Sequence, residues 1–65
     1  MFSRIIGTLK EMEEEIKRLE EATENGWYPP EYVMEAWGEF LILKKQIENL
    51  GLNPEGVYEI VINYY

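Results

Sequence analysis

The chain has 65 residues and a formal net charge of −7, which comes from 13 Glu and no Asp against six Lys and Arg. The absence of Cys and His excludes disulfide cross-links, thiol chemistry and the usual zinc sites. The absence of a basic stripe argues against direct binding to the phosphates of nucleic acids. A chain of this size forms one domain with a modest core, so residues 1–65 are predicted to be a single domain stabilised by packing of its nine aromatic residues or by self-association.

The first helix is predicted over residues 3–24. Its apolar residues recur at spacings of three and four, the periodicity of a helix with one apolar side. They are Phe2, Ile5, Leu9, Met12, Ile16 and Leu19. Ser3 is the predicted N-cap, and Asn25-Gly26 supplies the left-handed conformation that ends a helix.

The segment from Trp27 to Pro30 is predicted to be a rigid turn, because each of its two prolines holds the preceding residue in an extended conformation. We interpret Trp27 and Tyr28 as a lid over the end of a helical hairpin, in preference to an exposed binding hot spot.

The second helix is predicted over residues 30–50, where Pro30 suits the first turn and Gly51 follows the end. Its apolar residues cover a band of roughly 200°, about twice the width expected for contact with one neighbour. This helix is therefore expected to be covered from two sides. Ile42 lies alone on the far side and is expected to be exposed.

A short third helix is predicted over residues 54–64, because Asn53-Pro54-Glu55 reads as an N-cap, a proline in the first turn and an early acidic residue. Residues 57–65 are nevertheless rich in strand-forming side chains. As a strand they would align Tyr58, Ile60, Ile62 and Tyr64 on one face. We favour the helix, since a lone strand would have no partner within the chain for its backbone groups and would require a second copy sharing the sheet.

No catalytic residue, metal ligand or cofactor-binding residue is predicted. The chain lacks the His, Cys and Asp of the common nucleophilic triads. Metal sites in helical bundles combine Glu with His, so Glu13 and Glu20, seven residues apart, are interpreted as solvated. We therefore expect a protein that is not an enzyme and binds no cofactor.

The N-terminal segment is too short and too soon interrupted by Lys10 to be a signal sequence or a membrane span. A cytoplasmic protein with no membrane partner is expected.

These observations predict an all-α fold: an antiparallel helical hairpin closed by the third helix as a three-helix domain, and paired with a second copy as a homodimer. The predicted function is that of a non-enzymatic interaction or assembly protein, a natural or designed scaffold that acts through apolar helix faces. The candidate interface residues are Tyr32, Met34, Trp37, Phe40, Leu41, Leu43 and Ile47.

The alternative hypothesis is an acidic inhibitor that imitates nucleic acid and binds the basic site of a partner protein. It depends on the net charge of −7 within residues 11–35. The carboxylates that would do this are Glu11, Glu14, Glu15, Glu21 and Glu24.

Overall fold

The protein is an α+β structure in which two helices lie between two strands along the chain. A computed structural model describes residues 2–26 and 30–63, with residue 2 described through its backbone alone. The elements are strand β1 (Phe2–Gly7), helix α1 (Leu9–Glu24), helix α2 (Pro30–Leu50) and strand β2 (Tyr58–Asn63). The strands form one antiparallel sheet, with β1 packed on α1 and β2 packed on α2. The predicted all-α three-helix domain is therefore wrong.

The first helix begins at Leu9 and not near residue 3, because the chain turns at Gly7 and Thr8. Gly7 has φ 155°, a backbone conformation that residues with a Cβ rarely adopt. Thr8 then caps α1: its Oγ1 accepts a hydrogen bond from the Glu11 amide at 3.2 Å, and Glu11 Oε1 accepts one from the Thr8 amide at 3.0 Å. This reciprocal capping box satisfies two amides that the first turn would leave without partners.

The predicted third helix is also wrong, although its start signal has a structural counterpart. Asn53 Oδ1 accepts a hydrogen bond from the Glu55 amide at 3.0 Å, as an N-cap would. The Gly56 amide then donates to the Asn53 carbonyl at 3.1 Å and closes a turn, not a helix. The chain leaves this turn as β2, whose Ile60, Val61 and Ile62 are β-branched residues that favour strands.

Strand β2 has a partner within the chain, which is the N-terminal segment that was predicted to be helical. Ile5 lies opposite Ile60, Ser3 opposite Ile62 and Gly7 opposite Tyr58. Ile5, Ile60 and Ile62 are buried against the helices. Residues 58, 60 and 62 thus lie on one face of β2, as the alternative prediction of a strand required.

Helix α2 is covered from two sides, as its wide apolar band predicted, but the second cover is a sheet. Its residues pack against α1 and against β2. Near its start, the Tyr32 hydroxyl and the Ser3 hydroxyl share a hydrogen bond that ties α2 to β1. A two-stranded sheet is marginal in water, so burial against the hairpin is what stabilises β1 and β2.

Two substitutions in the C-terminal segment distinguish a strand from a helix. Ile62 is fully buried, so Ile62→Ala should lower the free energy of unfolding by about 2–5 kcal/mol. Val57 is 70% exposed, so Val57→Ala should change it by less than about 0.5 kcal/mol. Urea denaturation followed by circular dichroism measures both values. A helix would bury Val57 and expose Ile62, and the reverse order of effects would contradict the strand.

Candidate functional site

The seven predicted interface residues fall into three groups. Five of them belong to the protein's own interior or its margin: Tyr32, Phe40 and Ile47 are buried, while Trp37 and Leu43 are partly buried and pack against the core. Met34 and Leu41 are exposed at 72% and 59%. The predicted interface is therefore reduced to a narrower surface around these last two residues.

Met34, Gly38, Leu41 and Lys45 recur at spacings of four, three and four, so they lie along one side of α2, which we call the outer stripe. Trp37 borders the stripe and is held in place by Phe40, with the two ring centroids 5.8 Å apart in an edge-to-face arrangement. The stripe thus presents two exposed apolar side chains beside an ordered indole.

Gly38 is the unusual member of the outer stripe. A glycine inside a helix costs about 1 kcal/mol relative to alanine, and such a cost is commonly offset by a close contact at the missing side chain. In the described part of the chain, no atom lies within 4 Å of the position that a Cβ at residue 38 would occupy. The fold of one copy therefore has no need for glycine at this position.

The five carboxylates of the predicted acidic face do not form one continuous surface. Glu11 is committed to the capping box, and Glu15 lies 3.2 Å from Arg18 in an ion pair. Glu14, Glu21 and Glu24 are exposed and form no ion pair within the described residues. The α1 surface is thus acidic but interspersed with cations.

A cleft of about 350 Å³ lies between β1 and α1. Its lining residues are Arg4, Ile5, Ile6, Glu11, Glu14, Glu15 and Arg18. This cleft was not predicted from the sequence, because residues 3–7 were expected to form the start of the first helix. The segment Ser3-Arg4-Ile5-Ile6 does not alternate polar and apolar residues, so the available signal was the capping box at Thr8 and Glu11, which indicates that the helix begins after residue 7.

The remaining site predictions concern residues 27 and 28, metal ions and membranes. Trp27 and Tyr28 lie outside the described residues. Within the described ranges, no three Cys, His, Asp or Glu side chains come together in a way that could hold a metal ion. No described helix combines the length and the apolar character needed to cross a membrane.

Comparison with protein-family models, with curated proteins and with solved structures finds no match to this chain.

The capping box makes the stability of the protein depend on the charge of Glu11. Hydrogen bonds from Thr8, first from its backbone and then from its side chain, hold the pKa of Glu11 below its ordinary value of 4.5. Because folding lowers this pKa, the contribution is fully present above pH 4.5 and is lost as the pH falls through the folded value. Glu11→Gln keeps a hydrogen-bond acceptor but cannot titrate.

We therefore expect the difference in melting temperature between the wild type and Glu11→Gln to shrink as the pH falls from neutrality into the acidic range. Circular dichroism measured between about pH 7 and pH 3 tests this. Glu21→Gln, which removes an exposed carboxylate from the same helix, controls for the change in net charge. If the difference in melting temperature between the wild type and Glu11→Gln does not change with pH, the proposed role of the Glu11 carboxylate is contradicted.

Proposed function

We propose that this chain is a non-enzymatic assembly protein that self-associates as a homodimer through the outer stripe of α2. The observation that carries the proposal is an exposed Met34 and Leu41 on either side of a glycine with open space above it. Exposed apolar residues that line up along one helix are typical of an interface with another helix. The cytoplasmic location predicted from the sequence is kept as part of this proposal.

A second copy of the same helix complements the outer stripe when the two run antiparallel about a two-fold axis at Gly38. Leu41, three residues after the axis, then lies near Met34 of the other copy, four residues before it. Lys45, seven residues after the axis, comes beside Glu31 of the other copy, seven residues before it. The stripe therefore pairs apolar with apolar and cation with anion, as a symmetric interface requires.

Glycine at the crossing point gives the two helices room to approach each other. Helix axes in contact lie about 8–10 Å apart, and the distance depends on the side chains at the contact. A hydrogen atom at residue 38 permits the short end of that range, which brings Met34, Leu41 and Trp37 into contact across the axis. The conformational cost of Gly38 within one copy is then offset in the dimer.

The acidic inhibitor has less structural support. Phosphate mimicry needs an array of carboxylates that are free to meet cations, whereas Glu11 and Glu15 are engaged within the chain. The two hypotheses also differ in their response to salt. Association through apolar helix surfaces should change little between about 0.05 and 1 M salt, whereas binding by charge mimicry should weaken steeply.

Gly38→Ala provides a test in which two effects have opposite signs. In one copy, alanine should raise the free energy of unfolding by about 0.5–1 kcal/mol, because it favours the helix and meets open space. In the dimer, the added methyl group should separate the helices and raise the dissociation constant roughly tenfold or more, equivalent to about 1.4 kcal/mol. Sedimentation equilibrium measures the association, and denaturation at a concentration that favours monomers measures the stability.

A matched pair of charge substitutions controls for this test. Leu41→Glu should abolish dimer formation, whereas Leu50→Glu should leave it unchanged, because Leu50 is also exposed but lies nine residues further along, on the opposite side of α2. A Gly38→Ala chain that dimerises as well as the wild type, or equal effects of the two Glu substitutions, would overturn the proposal.

Reversal of the charges tests the antiparallel geometry. Lys45→Glu should weaken the dimer roughly twofold to thirtyfold, since the ion pair occurs twice across the axis and exposed ion pairs contribute about 0.2–1 kcal/mol each. Adding Glu31→Lys to the same chain should restore the affinity, because the two charges exchange places across the axis. If the double variant is as weak as the single variant, the two residues do not meet and the antiparallel arrangement is wrong.

A further inference from the structure

The cleft between β1 and α1 lies at the free edge of the sheet. Side chains alternate between the two faces of a strand, so a cleft lined by the consecutive residues Arg4, Ile5 and Ile6 must open along the edge of β1. The other edge of β1 is occupied by β2. Within the described residues the sheet has two strands, and a free edge presents backbone donors and acceptors that no neighbouring strand uses.

The helical layer is wide enough for another strand at this edge. Packed helices lie about 8–10 Å apart and neighbouring strands about 4.8 Å apart, so a pair of helices can cover about four strands. Here β1 and β2 cover only part of that width. The cleft of about 350 Å³ is the uncovered part next to β1, and its volume is at the lower end of the range of ligand-binding clefts, about 300–1,000 Å³.

The two sides of the cleft differ in chemistry. The side formed by α1 supplies the carboxylates of Glu11, Glu14 and Glu15 together with the guanidinium of Arg18, which is paired with Glu15. On the outer face of the sheet, Ile6 is 63% exposed. A strand added here would direct alternate side chains toward α1 and toward the outer face beside Ile6. The favoured pattern therefore alternates basic and apolar residues.

Both arginines of the cleft are engaged with carboxylates of this chain. Arg4 Nε lies 3.5 Å from Glu59 on the neighbouring strand, and Arg18 lies 3.2 Å from Glu15. Glu14 is exposed and has no ion pair within the described residues. It is the carboxylate of the cleft that is most open to a cation from outside.

We propose that this cleft binds an extended peptide segment of a basic partner protein, which adds to the free edge of β1 as a third strand. The backbone of the segment pairs with the edge, a Lys or Arg side chain faces Glu14, and its apolar side chains lie beside Ile6. A second copy of this chain is disfavoured as the occupant, because pairing its β1 with this edge would place the α1 carboxylates of the two clefts side by side. This site is distinct from the outer stripe of α2 and does not depend on it.

The test uses a capped hexapeptide with the sequence Lys-Val-Lys-Val-Lys-Val and NMR spectroscopy of the ¹⁵N-labelled protein. Binding should shift the amide signals of residues 3–7 and 11–18 and should slow hydrogen exchange at alternate amides of β1. Two control peptides have the same sequence and charge. One is N-methylated at the backbone of the three lysines and the other at the backbone of the three valines, so that each can donate backbone hydrogen bonds from one edge of the strand but not from the other. One of the two should lose binding, and the other should retain it.

A matched pair of protein variants separates the cleft from general electrostatic attraction. Glu14→Lys should weaken binding at least tenfold, whereas Glu21→Lys, which changes the net charge equally on the same helix, should weaken it less than threefold. Circular dichroism confirms that both variants are folded, as expected for exposed positions. Absence of binding, equal binding of both N-methylated peptides, or equal effects of the two variants would each overturn the proposal.

Discussion

The antiparallel pairing of β1 with β2 is the constraint on which the rest of the structure depends. It joins the N-terminal and C-terminal segments of the chain and places Ile5, Ile60 and Ile62 against the helices. The hairpin of α1 and α2 needs this cover, because the apolar band of α2 is too wide for α1 alone. The pairing also determines which surfaces remain open. It covers one side of α2, leaves the outer stripe to solvent and leaves an unpaired strand edge beside α1.

The local features of the helices could be predicted from the sequence, whereas the strand pairing could not. Residues 30–50 form α2 as predicted, and α1 ends at Glu24 as predicted, since caps and apolar periodicity are local signals. The sheet joins residues about 50 or more apart in sequence, and no local pattern specifies such a partner. Phe2, Ile5 and Leu9 continued the helical spacing by chance. The capping box at Thr8 and Glu11, and the β-branched residues at 60–62, were the local signals that favoured the observed elements.

The same limit applies to the candidate sites. The sequence identified α2 as the helix with surplus apolar surface, but the covered residues could not be distinguished from the exposed ones before the position of the sheet was known. Only Met34 and Leu41 of the seven candidates are exposed. Gly38 lies between them, and it becomes a candidate for close helix contact only once the space at its missing side chain is known to be open. The two proposed surfaces have different physical bases. The outer stripe offers apolar contact and close approach of helices, and the cleft beside β1 offers backbone hydrogen bonds and carboxylates.

The pairing of the two strands is tested most directly by the nuclear Overhauser effects between backbone protons of the free protein in solution. The antiparallel register predicts contacts between residues 3 and 62, between 4 and 61, and between 6 and 59. These cross-strand contacts, together with strong sequential Hα–HN contacts along residues 58–63, would establish the sheet. Contacts between residues three apart within 58–63, with none to residues 2–7, would show a helix at the C-terminus and would contradict the account of the fold and of both surfaces.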